Sequence, residues 1–463
     1  MKPSTTLAGA ILLLLSAACG DPQLTLSDLP ATTRGPSAGS LLRLPRNGGV
    51  AQLYLVPTLM PASWTGEDKL PALLRPVGAD AGQGLAFALD TKRNLVGLDL
   101  DTRRVRTYIQ QVRDATLGPD GALYAVDADG SVIQLVRRTA VRFRAKLQGA
   151  PTELYGSMKG LLLAHVGRPA SVLEVLSPDQ PPSSTALPDG PVAVSLFGDL
   201  VAVAADTGVI LYQPHSKARP HSVSVPGHPR SVIFSPSGHR LYVGLERESI
   251  VAIDRFTRER LEKIDLPGSA RELRGDPYGR WILARPQTGD SAWVIDIGRN
   301  RVLSSVAVRW DADLPALAAP NALLTRRGGD LVAVDLAAPG FPETGRVAGG
   351  AADFWLPVAW RPPSDARAQA AADSGREATA ADTSTAPSVY LQVSSSQNPA
   401  WADELAAKLQ AAGLPASVLP PGRSDESYRV VLGPYASREQ AEETGRKIGM
   451  PSFIVTAQDT PDR

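Results

Sequence analysis

The chain has 463 residues, with 48 Lys and Arg against 47 Asp and Glu, and 43% of it is apolar. That length exceeds one average domain and fits two or three, with enough apolar content for a sizeable core. The even charge balance argues against a nucleic-acid partner, whose affinity comes largely from clustered Lys and Arg. A single cysteine rules out an internal disulfide framework and a multi-cysteine metal site.

That residue is Cys19. It follows a basic Lys2, an apolar run from Leu7 to Leu15, and the small residues Ser16, Ala17 and Ala18. This is the layout of a secretory signal, and the run is far below the roughly 20 residues needed to span a bilayer. Ser16-Ala17-Ala18-Cys19 resembles a bacterial lipobox. The resemblance implies cleavage after residue 18, diacylglycerol on the Cys19 thiol and, with Gly20 next, sorting to the outer membrane from the periplasmic side. Residues 19–40 are rich in Pro, Thr, Ser and Gly and read as a tether.

Residues 41–360 repeat with a period of about 38–45 residues, the range of propeller blades. The clearest unit runs from His228 to Leu266. It holds Ser231–Phe234, a Ser-Pro-Ser-Gly turn, Arg240–Gly244, Ser249–Asp254 and Arg260–Leu266. Four short strands rich in β-branched and aromatic residues, with turn residues between, make one blade. Weaker copies include Gly118–Leu135, Leu200–Tyr212 and Asp276–Leu283, and strands ending in an acid recur at Asp99, Asp254, Asp296 and Asp335. About seven units fit between Gly66 and Gly349, and the strands near Leu41–Val56 and Phe354–Trp360 are placed to pair and close a ring. The pattern resembles an all-β propeller of the YVTN kind.

Residues 361–387 are Ala, Ser, Thr and Asp without apolar periodicity and read as a disordered linker. The last region, 388–463, predicts strand Val389–Val393, a helix begun by Asn398 and Pro399, and strands Ser417–Leu419 and Tyr428–Leu432. A second helix from Ser437 to Ile448, opened by a Ser437/Gln440 capping box, and strand Ser452–Val455 complete a βαββαβ order. Both helices cover one sheet face. Tyr390-Leu391-Gln392-Val393 and Tyr428-Arg429-Val430-Val431-Leu432-Gly433-Pro434-Tyr435 in this order resemble the SPOR family, a small α+β fold. The resemblance implies binding to peptidoglycan glycan strands stripped of their stem peptides, the material enriched at division septa.

Strand alternation puts Leu391, Val393, Tyr428, Val430 and Leu432 toward the helices. Tyr390, Gln392, Ser394, Arg429 and Val431 fall on the open face, and with Ser395 they form the candidate glycan-binding set. Their amide, hydroxyl and guanidinium groups suit sugar hydroxyls, N-acetyls and lactyl carboxylates. Seven basic against nine acidic residues over 388–463 mean that bulk charge is not the attraction. The five histidines lack metal-ligand spacing, Asp127-Ala128-Asp129-Gly130 reads as a blade turn, and no nucleophile elbow, phosphate loop or HExxH helix is present. No catalytic residue, metal or cofactor is expected. The reading is a non-enzymatic envelope lipoprotein whose propeller offers a platform to other envelope proteins. The alternative is a propeller hydrolase carried to the wall by the same domain.

Overall fold

The structure is a computed structural model, and it describes residues 39–360 and 389–456 apart from short interruptions, the longest being 420–427 and 446–451. The signal peptide, Cys19, the tether up to residue 38 and the 361–387 linker lie outside the described residues.

Eight four-stranded antiparallel sheets follow one another around a propeller. Seven use consecutive strands, from Leu73–Asp80 through to Glu343–Val347. The eighth joins Met60–Leu70, Gly49–Val56 and Gly39–Leu44 to Phe354–Val358, so three strands come from one end of the chain and one from the other. The count therefore rises from about seven to eight, because the closing segments build a whole sheet of their own. Leu42 faces Leu356 and Leu44 faces Phe354 across the closing pair. Phe354–Val358 packs against both Leu73–Asp80 and Leu317–Ala319, which closes the ring.

Each sheet's middle strands lie between two neighbouring sheets, so both faces are dry. Leu85–Asp90, Leu95–Asp99 and Ser249–Asp254 are buried at every position, as a continuous apolar run predicts. Outer strands such as His221–Ser224 are mostly exposed. Pro76, Pro229 and Pro357 sit on innermost strands, whose second edge borders the channel and asks for no N–H donor. Charge assists the closure. Arg43 Nε donates to Asp353 Oδ2 at 2.6 Å, and Arg46 lies 3.9 Å from the Phe354 ring centroid. Arg46 also pairs with Asp313, which takes Arg326 Nη1 at 2.7 Å.

The acids that end strands cap turns. Asp99 Oδ1 accepts the N–H groups of Asp101 and Thr102 at 3.1 and 2.8 Å. Asp254 Oδ1 does the same for Phe256 and Thr257 at 2.7 and 2.8 Å, the local bonding that favours Asp at such positions. Asp127 takes the N–H groups of Asp129 and Ser131, so the 127–130 segment is a blade turn as expected.

In the C-terminal region strands run in the order Ala416–Leu419, Tyr428–Tyr435, Val389–Ser396 and Phe453–Thr456, all antiparallel. Helix Pro399–Ala411 ends at Gly413 (φ +80°), with Leu414 N–H returned to Leu409 O at 3.0 Å, a Schellman-type stop. Of the second helix only Gln440, Ala441, Thr444 and Gly445 are described, and they are helical. Ser437 lies outside the described residues, while Gln440 Oε1 accepts the Ala436 N–H at 3.2 Å.

Candidate glycan-binding site

The sheet of the C-terminal region has two unlike faces. Toward the helix, Leu391, Val393, Val430 and Leu432 pack with Ala402, Ala406 and Leu409, and with Leu405 at the margin. The sidedness expected from alternation holds for all four strand residues. Trp401's side chain is outside the described set.

The opposite face carries Tyr390, Gln392 and Val431. Gln392 sits directly across from Val431, and Tyr390 from Val455. Its exposure corrects the sequence expectation. Tyr390 and Gln392 are 3% and 5% exposed, and Val431 is fully buried. Tyr390, Leu419, Val431 and Val455 form a second apolar cluster there, so the centre of this face is dry rather than a solvated polar surface. The signal was in the sequence: Val430-Val431-Leu432 is an unbroken apolar run, which marks a strand buried on both sides.

Gln392 is the polar group inside this apolar setting. Its Oε1 is buried and, among the described residues, accepts no hydrogen bond. A buried acceptor left without a donor costs about 1–3 kcal/mol. Arg429 is half-buried and engaged with neighbours. The register shifts between Gln392 and Ser394, so Ser394 pairs with Val430, a residue of the helix-side cluster, and Ser395 with Arg429. The shift is a bulge in the first strand. The side chains of Ser394 and Ser395 are outside the described set.

Gly433 fixes where the third strand turns away. Its φ of +126° suits glycine, and a Cβ there would stand 3.1 Å from Val389 O and 3.2 Å from Tyr390 Cδ1. Any side chain would press on the strand that holds Tyr390 and Gln392.

In the propeller, His165 Nε2 lies 3.0 Å from Ser171 Oγ, and His165 Nδ1 lies 4.0 Å from Glu153 Oε2, which also takes the Tyr155 hydroxyl. Ser171 is only 7% exposed, so the row ties a hairpin to its inner strand and presents no open nucleophile. Among the described residues no group of His, Cys, Asp and Glu is arranged to hold a metal. No described helix is long and apolar enough to cross a membrane.

Comparison with known proteins gives the C-terminal region a family. Residues 385–456 match the model of the SPOR domain, a peptidoglycan-binding module. No curated protein matches the chain in sequence. Among solved structures, AztD from Citrobacter koseri is 13% identical over 69% of this chain and 98% of its own, with a TM-score of 0.48. The dihydro-heme d1 dehydrogenase NirN is 14% identical over 72% and 79%, also at 0.48. Hsv2 from Kluyveromyces lactis is 11% identical over 59% and 99%, at 0.43. The chain thus carries a SPOR domain at residues 385–456, behind a β-propeller built from eight sheets.

Proposed function

We propose that this protein is a periplasmic lipoprotein, held to the outer membrane through Cys19, that binds denuded peptidoglycan glycan strands through its SPOR domain at the division site. The propeller serves as a platform for other envelope proteins and has no catalytic role. The observation that carries the reading is the SPOR match over 385–456. The tripartite signal ahead of Cys19 supports export and lipidation.

The test is co-sedimentation of the purified full chain with cell-wall sacculi. Sacculi treated with an amidase, which strips stem peptides, should pellet it, and untreated sacculi should pellet much less. Equal pelleting by both would overturn recognition of denuded glycan. A fluorescent fusion that spreads evenly around the envelope, with no septal enrichment, would remove the division-site part alone.

A further inference from the structure

The strands of each blade alternate in direction, so the turns between first and second and between third and fourth strands gather at one end of the ring. Both boundaries of the propeller fall at that end. Gly39 is paired with Val56, just before the 57–59 turn, and Val358 faces Ser40. From Gly39 back to Cys19 is a span of 20 residues, which reaches at most about 70 Å.

This end is basic at its rim. Arg103, Arg104, Arg219, Arg258, Arg260 and Arg301 lie in or beside the turns between third and fourth strands, exposed or half-exposed. Among the described residues only Arg104 of these has an ion-pair partner, Glu67 at 3.9 Å. Against them in or beside the same turns stand Asp101, Glu259, Asp335 and Glu343. The opposite end mixes signs, with Asp127, Asp129, Glu246 and Glu248 beside Lys92, Arg93 and Arg247.

Exposed apolar side chains gather at the basic end. Of the seven large apolar side chains exposed among the described residues, Leu55, Met60, Leu196, Phe256 and Tyr278 lie in or next to its turns. Met60 is 61% exposed and Phe256 40%. Arg103 and Arg258 also occupy the same place, four residues after a capping aspartate, and both hold a φ of +61°. Asn300 fills the equivalent place after Asp296, and Asn or Gly adopts such a conformation with less strain than Arg. Arg93 at the opposite end also holds a φ of +61°, so this backbone conformation is not peculiar to the basic end.

We propose that this end of the propeller docks onto an anionic membrane surface, its arginines meeting lipid phosphates while Phe256 and Met60 enter the headgroup layer. Basic residues around exposed apolar ones bind anionic bilayers by both attractions. The proposal rests on the lipidation of Cys19, which keeps this end beside the bilayer.

The experiment floats residues 19–463 carrying Cys19→Ser, and so free of signal peptide and lipid, with vesicles of phosphatidylglycerol and phosphatidylethanolamine or of phosphatidylcholine alone. The expected result is binding to the anionic vesicles only, weakened by salt. Binding should fall at least tenfold in the triple variant Arg103→Gln, Arg258→Gln, Arg260→Gln, and fall again with Phe256→Ser, with unchanged thermal melts. No flotation, equal flotation with both vesicles, or a triple variant that floats like its parent overturns the docking face. Capture by poly-L-glutamate but not by vesicles reassigns the face to an acidic protein and equally overturns it. Mass spectrometry of the mature wild-type N-terminus reads the lipid separately. A lipidated wild type whose Cys19→Ser form fails to float sinks the docking face and leaves the anchor standing.

Discussion

Replacing Gln392 by Met tests the buried amide directly. The two side chains are close in length, so the swap opens no cavity, and it removes an oxygen that is buried without a donor. Relieving an unsatisfied acceptor is worth about 1–3 kcal/mol. Some of that is lost in refitting a thioether among Tyr390, Leu419 and Val431, so a net gain of about 1 kcal/mol is expected. For a domain of this size that raises the melting midpoint by roughly 4–8 °C. If glycan reaches this amide when the face opens, binding should move the other way, by the hydrogen bond worth about 0.5–1.5 kcal/mol that is lost, a drop of about two- to tenfold. The assay pairs calorimetry of the full chain, read at the transition of the C-terminal domain, with pelleting on amidase-treated sacculi. A lower midpoint would mean that the amide is satisfied in the folded domain. A raised midpoint with undiminished pelleting would mean that glycan does not use this oxygen.

Cys19→Ala, once its signal peptide is removed, should be removable from membranes by about 1 M salt, where screening acts within ~3 Å, while the lipidated parent stays bound; a processed variant that resists the wash refutes the lipid anchor. Arg43→Ala or Asp353→Ala should each cost about 1.5–3 kcal/mol, since each leaves a charged hydrogen-bond partner behind in a partly buried site. The double variant should cost less than the two combined, and strict additivity in denaturant melts would show that the pair does not couple the chain ends. Asp276 is fully buried, and burial pushes its carboxyl up to about 6 despite N–H bonds from Tyr278, Arg280 and Trp281. A carboxyl raised in the folded state favours folding once protonated, so its contribution improves as pH falls from about 6 toward its unfolded value near 4. The melting temperature of wild type minus that of Asp276→Asn should therefore rise from pH 7 to pH 5; a difference that falls would mean the three N–H donors outweigh burial.

The ring was legible because its units are local. Ser231–Phe234, Arg240–Gly244, Ser249–Asp254 and Arg260–Leu266 each carry strand composition, and turn residues separate them. The eighth sheet was harder to count, because its inner strand, Phe354–Val358, lies some three hundred residues from the strand it pairs with. Sidedness in the SPOR sheet was legible from a two-residue period, which placed Leu391 and Val393 apart from Tyr390 and Gln392. Exposure was not, since alternation says which residues share a face and nothing about what covers that face. Ser394 escaped for another reason. A bulge adds a residue to one strand and breaks the period, and three consecutive serines give no hint of where the break falls.

The two connections outside the described residues set what the whole chain can bridge. Between Cys19 and Gly39 the reach is at most about 70 Å, and the 29 residues from Trp360 to Val389 reach at most about 100 Å. Both connections meet the propeller at the same end, beside the pairing of Ser40 with Val358. A lipid at one terminus and glycan at the other would then pull on neighbouring strands of the closing sheet rather than across the ring. That sheet is held by the Arg43–Asp353 pair and by Arg46 against Phe354 and Asp313. On the proposed anchoring, a force drawn between membrane and wall would be carried by one antiparallel pair and its ion pairs. Weakening Arg43 should accordingly open the ring at its seam, and the seven consecutive sheets should be the last to lose their hydrogen-exchange protection.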